Sequence, residues 1–105
     1  MNADQHSRPN RYGPLDALWA AIRRRVPHIA GECVDNGIPN LHMPGVPRLF
    51  MRVSYNGGEP RRVVWEEQIA AFAWNSGPDA GVEIGPLDDV DRVAEAIGRA
   101  LVTSI

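Results

Sequence analysis

Apolar and polar positions alternate along residues 48–55. The odd-numbered positions there, Leu49, Met51, Val53 and Tyr55, are apolar. Arg52 and Ser54 lie between them. Successive side chains of a strand point to opposite faces, so a period of two predicts a strand with one buried and one solvated face. The run Asn56-Gly57-Gly58 follows, and its tolerance of positive φ predicts a hairpin turn.

Three more strands are predicted downstream. Residues 61–65 are rich in β-branched and aromatic side chains, residues 69–74 follow a polar connection at 66–68, and residues 82–84 alternate again. A helix over residues 66–74 is the alternative, because Glu, Gln and Ala are good helix formers. Its apolar positions form no continuous stripe at helical spacing, which favours the hairpin.

Two amphipathic helices flank this region. The first begins at Pro14, since proline at the first helical position leaves no N–H unpaired. Its apolar stripe comprises Leu15, Leu18, Trp19, Ile22 and Val26. The second has Asp88 as its predicted N-cap. Its stripe repeats the same spacing with Val90, Val93, Ala94, Ile97 and Leu101. Gly98, inside that helix, predicts a close approach of the helix to the sheet.

Between the first helix and residue 48, the periodicity of apolar positions is weaker. Residues 28–35 predict a first strand, and Asn36-Gly37 after it is a turn signal. The next segment contains three prolines: Pro39, Pro44 and Pro47. Proline donates no hydrogen bond to a sheet, so we predict a long loop over residues 36–47. Loops of this length in a compact domain are often functional.

Together these elements predict an α+β fold in one domain. Residues 1–12 are polar and are expected to form a flexible arm, whereas residues 13–105 have the size of a single domain. An antiparallel sheet of three to five strands would carry the N-terminal and the C-terminal helix on one face. The opposite face would then be exposed unless a partner covers it.

Composition narrows the classes of function. The net charge of −2 argues against a dedicated binder of the phosphate backbone. A single cysteine, Cys33, excludes an intramolecular disulfide and favours a reducing compartment. The first residues hold no apolar run, and no segment reaches the roughly 20 apolar residues of a membrane span. We therefore expect a cytoplasmic protein that does not bind a membrane.

A set of residues in the second half of the chain carries a resemblance. It comprises Val64-Trp65, Phe72-Ala73-Trp74, Gly77, Gly85-Pro86, Asp88, Val93-Ala94 and Ile97. Over residues 61–101 this pattern resembles that of small actinobacterial proteins of unassigned function. Those proteins are often arranged as helix, β-meander and helix, so the resemblance implies this order here. It implies no activity.

One cluster of residues has the side chains that catalysis or metal binding would need: His28, Glu32, Cys33, Asp35 and His42. Cysteine with histidine could form a nucleophile pair, and the set could hold zinc. The spacing matches no metal signature, and Cys33 precedes a turn rather than a helix N-terminus with oxyanion donors. We predict neither a metal nor a cofactor. A small enzyme centred on Cys33 and His42 is the third hypothesis for the function.

The leading hypothesis is a non-enzymatic interaction or accessory module. It starts from four aromatic residues: Phe50, Trp65, Phe72 and Trp74. Strand alternation prevents all of them from entering one core, so some are expected on the free sheet face. An exposed aromatic patch is typical of an interface. We therefore predict self-association through the sheet, or binding of another protein.

The second hypothesis is a nucleic-acid-associated regulator. It uses the arginines of the N-terminal region: Arg8, Arg11, Arg23, Arg24 and Arg25. With two aspartates they give residues 1–30 a net charge of +3. No helix-turn-helix pairing is visible, so nucleic acid is the less favoured partner.

Overall fold

The chain folds as two helices and one sheet in a computed structural model that describes residues 13–38 and 48–103. The elements, in order, are α1 (Pro14–Arg25), β1 (Ile29–Ile38), β2 (Arg48–Tyr55), β3 (Arg61–Glu66), a 3₁₀ turn (Glu67–Ile69), β4 (Ala71–Trp74), β5 (Glu83–Pro86) and α2 (Val90–Thr103). Within the described ranges the strands form one five-stranded sheet in the order β1-β2-β3-β4-β5, with every neighbouring pair antiparallel. The predicted α+β fold is confirmed.

The main core lies between the two helices and one face of the sheet. The helices contribute Leu15, Leu18, Ala21, Ile22, Val93, Ala94, Ile97 and Leu101. The sheet contributes Ile29, Met51, Val53, Val63, Phe72 and Trp74. In β2, Met51 and Val53 are fully buried while Arg52 is exposed, which confirms the predicted alternation. Burial of both helical stripes against one sheet face supplies the hydrophobic driving force for the fold.

Two predicted hairpins form as expected. Asn56 and Gly57 both have positive φ, 55° and 75°, as a tight β-hairpin turn requires. The N–H of Gly58 donates to the carbonyl of Tyr55 at 2.9 Å. Between β3 and β4 the chain makes one 3₁₀ turn and closes through Ala70 in the left-handed region. Residues 66–74 are therefore a hairpin and not a helix.

Two predictions about turns and helix caps were wrong. The turn expected at Asn36-Gly37 is absent, because β1 continues to Ile38 with a shift in register between Val34 and Ile38. Asn and Gly favour irregularities inside a strand as well as turns, so the sequence signal is ambiguous. The α2 cap is Asp89 rather than Asp88, since Asp89 Oδ1 accepts from the Arg92 N–H at 3.3 Å. Residues 1–12 and 39–47, the predicted arm and most of the predicted loop, lie outside the described residues.

Candidate functional site

The outer side of β1 is an open sheet edge among the described residues, and we call it the β1 edge. β1 is ten residues long and pairs only with β2, residue by residue from Ile29 to Val34. An edge strand has unpaired backbone N–H and C=O groups on its outer side, which makes it a template for another strand. Natural edge strands are commonly protected by proline or lysine, and residues 29–34 contain neither.

A tryptophan covers the β1 edge on the helix side. Trp19 of α1 lies over Gly31, so close that a Cβ on Gly31 would be 3.3 Å from Trp19 Cδ1. The Arg23 guanidinium is 5.1 Å from the centroid of the Trp19 ring, within range of a cation–π contact. On the other face, Ala30 is small and exposed, and Glu32 pairs with Arg52 at 3.0 Å. Tryptophan and arginine are enriched where interfaces gain most of their affinity.

The four aromatic residues predicted to form an interface are mostly enclosed. Phe72 is 0% and Trp74 5% exposed in the main core. Trp65, half-buried, also faces the helices, where a Cβ on Gly13 would be 3.4 Å from its ring. Phe50 lies on the opposite face, yet it is buried in a small cluster with Val34 and Val64. The expected broad aromatic patch is therefore not on the surface of the described chain, and an interface there has to use other residues.

The arginine run at the end of α1 is engaged within the chain. Arg24 donates to Asp91 at 2.6 Å, and Arg25 donates to Glu95 through Nε at 3.0 Å and Nη2 at 2.6 Å. The hydrogen bond and the charge of Glu95 raise the pKa of Arg25. These pairs link α1 to α2 and neutralise charge that a nucleic acid would need. Arg8 and Arg11 lie outside the described residues.

Cys33 has the properties of a packing residue rather than of a nucleophile. It is half-buried on the helix side of the sheet, beside the main core. Burial and the charge of Asp16 raise the pKa of the Cys33 thiol to about 11, so the thiolate is scarce at neutral pH. Glu32 points to the opposite face, where it pairs with Arg52.

Of the histidines in the candidate cluster, the structure describes His28. His28 contacts Tyr55 edge-on, with ring centroids 5.7 Å apart. His42 and the side chain of Asp35 lie outside the described residues. In the part of the chain that the structure describes, no three His, Cys, Asp or Glu side chains are grouped so that they could hold a metal ion.

The raised pKa of Cys33 predicts a loss of stability at alkaline pH. The folded chain holds the thiol proton more tightly than the unfolded chain, so the contribution to stability is complete below the ordinary pKa of 9.0 and is lost as pH rises through about 11. We expect the free energy of unfolding to fall more steeply across this window for the native chain than for Cys33→Ser. Urea unfolding at several pH values measures this difference, and parallel pH profiles for the two chains would contradict it.

Comparison with known proteins adds no relative. No protein-family model, curated protein or solved structure matches the chain. The resemblance to small actinobacterial proteins stays a prediction. Among the described residues, no helix is both long and apolar enough to cross a membrane.

Proposed function

We propose that this protein is a non-enzymatic interaction module that binds a second copy of itself by pairing two β1 edges. The observation that supports this proposal is the outer edge of β1, which pairs with no other described strand and has neither proline nor lysine over residues 29–34. Pairing about a two-fold axis uses the same surface on both copies, which is the commonest way in which soluble proteins dimerise. The two sheets would continue into each other as one antiparallel sheet.

The other edge of the sheet is less suited to this role. β5 has only four residues and ends at Pro86, whose nitrogen donates no hydrogen bond. A short edge that contains proline is a common protection against strand addition. β1 offers six regularly paired residues, Ile29 to Val34, before its register shifts. Strand addition is therefore expected at β1.

Charge favours a second copy of this chain as the partner. A two-fold axis near Gly31 would place Glu32 opposite Ala30 of the second copy, so the two Glu32 carboxylates would not oppose each other directly. Each Glu32 would keep its ion pair with Arg52, one strand inward. On the helix side, the same axis would bring the two Trp19 side chains near each other. Their exposed parts would add apolar area to the backbone pairing.

Ala30→Lys is the variant that tests the edge. Ala30 is exposed on β1, and a lysine on an edge strand hinders the approach of another strand. We expect the native chain to dimerise at micromolar concentration and the variant to associate about tenfold more weakly or not at all. Sedimentation velocity over a range of concentrations measures both dissociation constants.

Ser54→Lys is the matched control. Ser54 is the cross-strand neighbour of Ala30, on the same face but one strand inward. A lysine at position 54 adds the same charge away from the edge. We therefore expect Ser54→Lys to leave the dissociation constant nearly unchanged. A native chain that stays monomeric at every concentration would contradict self-association. Equal weakening by both variants would assign the effect to net charge and not to the β1 edge.

A further inference from the structure

A small cavity opens at the end of the sheet farthest from the 3₁₀ turn. Its volume is about 230 Å³, and it lies between the β2–β3 turn, the β4–β5 connection and the end of α2. The residues that line it include Tyr55, Glu59, Arg61, Ser76, Gly77 and Leu101. It is separate from the middle of the β1 edge, because none of residues 29–34 lines it.

Arg61 is the unusual residue of this cavity. Only 15% of its side chain is exposed, and its guanidinium is 5.5 Å from the centroid of the buried Trp74 ring. The carboxylate paired with it is that of Asp79, with Nη1 and Oδ2 3.7 Å apart, which is too far for a hydrogen bond. A guanidinium has five N–H donors. Those of Arg61 keep access to solvent, since the buried side-chain nitrogen without a hydrogen-bond partner among the described residues is Arg62 Nε. The donors of Arg61 are therefore open to a ligand in the cavity.

Ser76 adds a donor at the same place. Its Oγ accepts a hydrogen bond from the Arg62 backbone N–H at 2.8 Å. A serine hydroxyl has one hydrogen to donate besides the lone pairs with which it accepts. Because the backbone amide occupies a lone pair, the hydroxyl hydrogen is free to turn toward a ligand in the cavity. The cavity therefore combines the planar, charged guanidinium of Arg61 with the neutral hydroxyl donor of Ser76.

We propose that this cavity binds the carboxylate of a small organic acid, with Arg61 as its main ligand. A planar guanidinium matches a carboxylate through two parallel hydrogen bonds. The nearby carboxylates of Glu59 and Asp79 disfavour a dianion such as phosphate. The volume of about 230 Å³ is below the roughly 300 Å³ at which sites for drug-sized ligands begin. The ligand class is therefore a monocarboxylate of a few carbon atoms.

Titration with propionate, followed by ¹H–¹⁵N NMR, tests this proposal. We expect saturable shifts of the Ser76 and Gly77 amides at millimolar propionate. Propionamide, which has nearly the same shape without the charge, should cause none. Phosphate should bind more weakly than propionate. Absence of saturable shifts with propionate, or tighter binding of phosphate, would overturn the proposal.

Two substitutions of Arg61 separate binding from folding. Arg61→Met removes the charge, and we expect propionate affinity to fall at least about tenfold. Arg61→Lys keeps a cation near Trp74 but loses the planar set of N–H donors. The variant should therefore fold and should bind propionate more weakly than the native chain does. If Arg61→Met fails to fold, the propionate affinity of Arg61→Lys tests the proposal instead. Arg92→Met, at an exposed position near the start of α2, is the control and should bind as the native chain does. Native-like affinity in Arg61→Lys and in any folded Arg61→Met would overturn the assignment.

Discussion

Replacing Phe72 by alanine is expected to lower the free energy of unfolding by about 3–5 kcal/mol. Phe72 lies in β4 at 0% exposure, in the core between the sheet and both helices, so its loss leaves a large cavity. A domain is typically stable by about 5–15 kcal/mol, so this single change would remove a large part of the total. Urea unfolding followed by tryptophan fluorescence measures the difference.

The result also distinguishes a core residue from an interface residue. Ile69→Ala is the control, because Ile69 is 58% exposed, two residues before β4. Its expected effect is within about 0.5 kcal/mol. If Phe72 served mainly as a contact for a partner, Phe72→Ala would weaken self-association and leave the unfolding of the monomer almost unchanged. That outcome would contradict the burial described above.

The elements that could be predicted from the sequence are those with a strong local pattern. The stripe of α1 and the alternation of β2 both repeat over several turns or pairs, so each fixes which face is buried. Asn56-Gly57 predicted its hairpin because few other residues accept positive φ at both positions. In these segments local preference and tertiary packing agree, as is expected of a foldable sequence.

The placement of the aromatic residues could not be predicted in this way. Alternation gives the two faces of each strand, but it does not say how the faces of neighbouring strands match. The turn between β3 and β4 sets the register in which Trp65 opposes Phe72 and Val63 opposes Trp74. All four side chains thereby point toward the helices. A shift by one residue would have turned the β4 pair to the other face.

The candidate sites depend on contacts that are distant in sequence. Arg24 and Arg25 form a basic run in the sequence, but their acidic partners are 67 and 70 residues further along the chain. Trp19 belongs to the predicted stripe of α1, and its position over Gly31 follows only from the packing of α1 on β1. Arg61 carries no local signal of its partly buried state. Charge runs and single residues in the sequence thus identified candidate residues. The contacts that those residues make depend on the fold.

Gly98→Ala is expected to destabilise the protein by up to about 2 kcal/mol, although alanine is the better helix former. The predicted close approach at Gly98 exists, but the neighbour is Val26 at the end of α1 and not the sheet. A Cβ on Gly98 would be 2.8 Å from Val26 Cγ1 and 3.4 Å from its Cβ. Valine is stiff about its first side-chain torsion, so it cannot turn away freely. Overpacking of this kind typically costs about 1–3 kcal/mol, against a gain of about 1 kcal/mol in helix propensity.

A second substitution at the neighbour tests the cause. Val26→Ala removes the methyl groups that the new Cβ would meet, so Gly98→Ala should be less harmful, or even stabilising, in the Val26→Ala background. We expect a coupling energy of at least about 0.5 kcal/mol between the two changes, measured by urea unfolding of all four chains. If Gly98→Ala alone raised stability by about 1 kcal/mol, helix propensity would dominate. α1 and α2 would then not be in tight contact at Gly98.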